Sequence, residues 1–213
     1  MEIKNSILIL HLLGVCFGLG GTLILDFRLF RLLRGDVIEP SDVLFAQVLS
    51  RFVQTGLVIL WASGIAFFSF APDGPASLMD SPKLQAKLTV VVALTLNGIL
   101  IGGLAVPLIE QNVGRPIFEG LGVTRRTILV ASAVISSVSW LTPFILGSTR
   151  AFSVPVSAAE ILQVYAAVTA FAIIVAQVGA RLLYRPSVAT HHPLAVVTPL
   201  HDHQKREPPL VKS

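Results

Sequence analysis

His11 is the one histidine within the apolar blocks of this sequence, standing in an uncharged stretch of 21 residues, 5–25. At about 1.5 Å per helical residue it lies roughly 9 Å from the start of that stretch, too deep for bulk water to solvate its ring. An imidazole at that depth needs a hydrogen-bond partner or a ligand. On a helix it is followed at i+3, i+7 and i+10 or i+11 by Gly14, Gly18 and Gly21 or Thr22, which leaves a smooth groove beneath the ring. Two readings suit that groove. In one, neutral imidazole ligates haem b iron and the glycines let a porphyrin plane approach the backbone. In the other, Gly14-x-x-x-Gly18 is a small-residue helix contact across which His11 hydrogen-bonds, the commoner use of glycine grooves in membranes.

Lys83 and Lys87 are one turn apart, so two ammoniums share a helix face that would attract an anion or a propionate-like group, or would anchor the helix by snorkelling. Asn97, with Gly98 and Gly102, reads as an interhelical hydrogen bond beside a second close-approach motif, a contact for a second copy or a membrane partner like Gly14 and Gly18. Asp26 with Arg28, Arg31 and Arg34 reads as a helix end with local ion pairing. Ser132, Ser136, Ser137 and Ser139, leading to Trp140, Thr142 and Pro143, suggest a kinked helix with a small packing face, or a polar path. Near the carboxyl end, His191, His192, His201 and His203 with Asp202 offer donors to a divalent ion, although their spacing matches no closed zinc site. There is no phosphate loop, HExxH pair or nucleophile elbow, so nothing in the sequence points to hydrolysis.

The elements that must hold these residues are set by composition. Of 213 residues 54% are hydrophobic and 13% charged, with a mean hydropathy of +0.78. A soluble domain carries about 25% charged residues, so a water-soluble globule is excluded. Charged side chains delimit five uncharged stretches, 5–25, 52–72, 88–109, 127–149 and 161–180. Each matches the roughly 20 residues a helix needs to cross hydrocarbon, and none alternates as a membrane strand does. The expected architecture is an all-α five-helix transmembrane bundle over residues 1–185, with helices near 5–34, 52–71, 82–109, 127–147 and 158–184. Ser41 or Asp42 would cap a short interfacial helix running into the second span. Pro72-Asp73-Gly74-Pro75 reads as a turn, Ser81-Pro82 as the start of the third helix, and the Pro- and His-rich residues 186–213 as a disordered tail.

Of the 16 Lys and Arg, four (Lys4, Lys83, Lys87, Arg150) fall on one side of this topology and twelve on the other. The positive-inside rule then expects an amino terminus outside and a cytoplasmic carboxyl terminus in a bacterial inner membrane. The net charge of +4 is thereby a topology signal with no bearing on nucleic acid. The basic cluster follows the first apolar run and no small-residue cleavage site is present, so that run is expected to remain in the protein. Cys16, the single cysteine, forms no intrachain disulfide.

Leu10-His11-Leu12-Leu13-Gly14, with Gly20-Gly21, Asp26-Phe27 and Phe30-Arg31, resembles the first helix of a family of small bacterial integral membrane proteins. The resemblance continues through Ser50-Arg51-Phe52-Val53, Gly56-Leu57, Ser63-Gly64, Lys83, Lys87, Leu96-Asn97-Gly98 and Pro107, and covers about residues 8–110. More remotely, a His in the first helix, an Arg before the second and Lys opening the third resemble the HemJ-type protoporphyrinogen oxidases and CopD-type copper-resistance membrane proteins. Resemblance to the HemJ-type family implies haem b on a membrane histidine and oxidation of a porphyrinogen. His11 matches its ligand position, and Arg51, Lys83 and Lys87 match basic positions. Where that family has a second histidine, this chain has Asn97 and Gly98, so the implied haem is five-coordinate or shared between two protomers. The expected function is thus a haem-associated membrane redox protein, a non-enzymatic membrane component assembling through its glycine motifs, or a small permease or metal-handling protein.

Overall fold

A computed structural model describes residues 2–70, 74–148 and 156–183. Six helices follow in order, α1 (Glu2–Leu33), α2 (Pro40–Ser69), α3 (Gly74–Met79), α4 (Pro82–Gln111), α5 (Val123–Ser148) and α6 (Ala158–Leu183). All but the six-residue α3 are long and apolar enough to cross a membrane, so the chain is an all-α multi-pass membrane protein. Large apolar side chains such as Val164, Val168, Phe171 and Val175 stand exposed along α6, the inverse of a soluble helix surface.

Two local differences from the sequence reading have clear causes. The interfacial segment and the second span form one unbroken α2 beginning at Pro40, twelve residues before the expected 52. Proline is preorganised at the first helical position, and no proline interrupts the helix thereafter. Asp42 is not the cap but sits three residues past Glu39, whose N–H donates to Asp42 Oδ2 at 2.9 Å. Residues 71–73 of the expected outer turn lie outside the described residues; from Gly74, at φ +81°, which an L side chain rarely adopts, the chain forms α3. The tail, with His191, His192, His201 and His203, lies outside the described residues.

The most extensive pairings are α1 with α2 and α4 with α5, and α5 also packs on α1 and α6. The α1–α2 crossing is built on glycine. A methyl at Gly56 would lie 2.6 Å from the Gly18 amide nitrogen, and one at Gly14 would lie 3.0 Å from the Gly56 carbonyl oxygen. Beside this crossing Leu60, Val91, Leu94 and Trp140 form a buried cluster. A second cluster, Leu32, Leu33, Ile38, Ile117, Phe118, Val130 and Ala180, closes the end of the bundle that carries the arginines.

Candidate functional site: an apolar cavity with a carboxylate

His11 lies toward the amino-terminal end of α1, half-buried, its ring edge-on to Phe67 at 5.8 Å between centroids. Its Nδ1 is 2.8 Å from Ser63 Oγ. That hydroxyl is also 2.7 Å from the Ile59 carbonyl and 3.1 Å from that of Leu60, and it has one proton to give. The proton goes to a carbonyl, so His11 Nδ1–H donates to Ser63 and the lone pair of the neutral ring rests on Nε2. On the same end of the molecule Lys87 Nζ approaches Gly147 of α5, and Lys83 stands one turn earlier on α4.

Gly14 and Gly18, read as either a porphyrin groove or a helix contact, face protein. Gly14 is covered by α2 backbone at Gly56 and Leu60, and the Trp140 ring lies over Gly18 so closely that any Cβ there would overlap it. Haem b, the group implied by the resemblance, has no room against these glycines, and an imidazole ligand at His11 would have to receive it away from them. Gly98 and Gly102 are not covered within this chain: a methyl on either meets nothing within 4 Å. Asn97 does bridge helices, its Nδ2 donating to the Ser132 carbonyl at 2.8 Å. Among the described residues no three His, Cys, Asp or Glu side chains gather as an ion site requires.

The open space beside Gly98 and Gly102 belongs to a cavity of about 560 Å³ among α1, α2, α4 and α5, within the range of small-molecule sites. Leu25, Val53, Leu57, Leu94 and Trp140 give it apolar walls. Its polar groups include Asp26 and Thr22 of α1, Ser50 and Gln54 of α2, Thr95 of α4, and Ser132 and Ser136 of α5. Asp26 turns inward, where its carboxylate accepts the Ser137 hydroxyl proton. The nearby ion pairs run elsewhere: Arg28 grips Asp42 with two bonds, Nε at 2.6 Å and Nη2 at 2.7 Å, and also reaches Asp36. Thus the local pairing expected for Asp26 belongs to Asp36 and Asp42. Thr22 Oγ1 and Trp140 Nε1, on side chains 3% and 1% exposed, have no hydrogen-bond partner among the described residues.

The fold and this site define a helical multi-pass membrane protein with an apolar cavity among α1, α2, α4 and α5. No protein-family model, curated protein or solved structure matches the chain. The sequence names Thr22, Asp26 and Trp140 but does not reveal that they line one cavity. The usable signal was the inward phase of Ser132, Ser136 and Trp140, which recur at i, i+4 and i+8.

Proposed function

We propose that this protein binds or carries an amphiphilic small molecule in a bacterial inner membrane, with its amino terminus outside. The polar head of the ligand pairs with Asp26, and its apolar body lies beside Gly98 and Gly102. The observation that supports this is a carboxylate, held by a neutral serine hydroxyl, in the wall of a large apolar cavity. Asp26 directly follows the uncharged stretch 5–25. A carboxylate facing an apolar cavity at the edge of the hydrocarbon is costly without a partner, so such residues mark ligand or ion paths. A ligand with a cationic amine head supplies the partner, and the remaining hydroxyls and the Gln54 amide surround it.

Trp140 lines the cavity, which gives a direct readout. A long-chain amine carrying a nitroxide on its tail, added to the protein in lipid nanodiscs, should quench the Trp140 fluorescence, read as the part missing in Trp140→Phe. Asp26→Asn should weaken binding about tenfold, equivalent to about 1.4 kcal/mol and near the low end for hydrogen bonds to charged groups. The matching long-chain carboxylic acid should bind poorly. Equal binding of amine and acid, or an unchanged affinity in Asp26→Asn, would overturn the reading.

A second reading, haem b on His11, is favoured by the His11–Ser63 bond alone, because an axial histidine is ordinarily oriented through its other ring nitrogen.

A further inference from the structure

We infer that the ligand reaches the cavity sideways, from the hydrocarbon through a window between α2 and α4, and is a single-chain amphiphile dissolved in the membrane; this rests on the cavity being the binding site. Side-chain bonds join α2 to α4 at two levels among the described residues. Trp61 Nε1 donates to Thr95 Oγ1 at 3.1 Å, and Gln47 Nε2 donates to Glu110 Oε1 at 2.8 Å. Along α4 the acceptors, Thr95 and Glu110, are separated by roughly 22 Å of helix. Between them Gln54 of α2 and Gly98 of α4 line the cavity and are exposed, and Ile99, which lines it too, is 70% exposed, so the cavity is open along this side of α4. The absent side chains of Gly98 and Gly102 leave that passage clear.

The arginine-rich end is shut. Ile117 and Phe118, 4% and 2% exposed, line the cavity from the loop between α4 and α5. That loop is tied to the α1–α2 turn by Ile38 N–H to the Arg115 carbonyl at 3.1 Å and Gly114 N–H to the Ile38 carbonyl at 2.8 Å. From α5, Arg126 Nη2 donates to the Phe118 carbonyl at 2.7 Å and Nε to the Leu121 carbonyl at 3.0 Å. Its guanidinium also lies over the Phe118 ring at 5.6 Å. An aqueous solute on that side therefore meets a packed plug. Asp26 and Ser50 line the cavity toward its arginine-rich end together with the apolar Leu29, Ile109 and Phe118, and Thr22, Ser132 and Ser136 line it deeper. A ligand whose head pairs with Asp26 has that head at the level of the leaflet bordering the arginines, and needs only lateral movement to arrive.

The test follows the rate of Trp140 quenching in nanodiscs. Uptake of the nitroxide long-chain amine should rise with its mole fraction in the bilayer, slow several-fold in Gly98→Phe, and stay unchanged in Arg126→Ala. Gly98→Ala, whose methyl has room, should fold and slow uptake slightly if the bulkier variant fails. A short water-soluble nitroxide amine should quench Trp140 weakly at the same aqueous concentration. Equal quenching by the short amine, or uptake insensitive to Gly98→Phe but faster in Arg126→Ala, overturns the lateral route. If affinity depends on Asp26 while the rate ignores Gly98→Phe, only the route fails. If affinity ignores Asp26, the binding reading itself fails.

Discussion

His11 donates through Nδ1 to a serine whose own proton serves the backbone, so only Nε2 is left to take a metal or accept a hydrogen bond. The haem reading therefore makes a narrow prediction. Protein purified after expression with excess haem should show a Soret band that His11→Ala abolishes and Ser63→Ala weakens, since losing the orienting partner costs about 10–100-fold in metal affinity. Absence of the band, or its persistence in His11→Ala, eliminates His11 as a ligand. His11 could be found from sequence because an imidazole among leucines has no bland neighbour to explain it. Asp26 could not, because three arginines follow within eight residues and offer it apparent partners. Helix geometry removes the nearest: residues two apart point to opposite sides, so Arg28 turns to Asp42 while Asp26 turns to Ser137. Gly56 and Trp140, which fill the groove beneath His11, are remote in sequence, and no local pattern links them to it.

Between helices, identical small-x-x-x-small spacings serve opposite ends. Gly14 and Gly18 are consumed within the chain by α2 backbone and by Trp140, whereas Gly98 and Gly102 border empty space. Adding a methyl should expose the difference. Gly18→Ala forces the Trp140 ring to move and should destabilise the protein by about 1–3 kcal/mol, the usual cost of overpacking. Gly98→Ala meets no atom and removes backbone freedom, so it should be neutral or stabilising by about 0.5–1 kcal/mol. Thermal unfolding in detergent measures both. Equal losses at the two sites would mean that the α4 glycines pack against another helix, as their spacing alone suggests. Sequence spacing identifies such motifs but cannot say what faces them, because the occupant is chosen by the crossing of helices far apart in the chain. The span lengths, by contrast, were readable because hydrocarbon thickness imposes them directly. The early start of α2 was masked because the charged residues Asp42 and Arg51 mark where the apolar stretch begins, not where the helix does.

Across the whole bundle, the arginine-rich end does two jobs that bear on membrane orientation. It carries most of the basic residues, and it is the end closed by the loop packed under Arg126 and pinned to Ile38. Lys and Arg bias the retained side during insertion, so the proposed orientation places this closed end in the cytoplasm and the opening of α1 outside. Asp80, between α3 and α4, and Val113, after α4, are both exposed and lie at opposite ends of the 30-residue α4. With Cys16 replaced by serine, Asp80→Cys in intact cells should react with a membrane-impermeant maleimide. Val113→Cys should react only after the membrane is permeabilised. The reverse pattern would put the arginines outside, turn the Asp26 end of the cavity toward the outer leaflet, and require the ligand to come from that leaflet. Labelling thus decides not only the topology but which leaflet supplies the amphiphile, because Asp26 fixes the head of the proposed ligand relative to the helices and not to the cell.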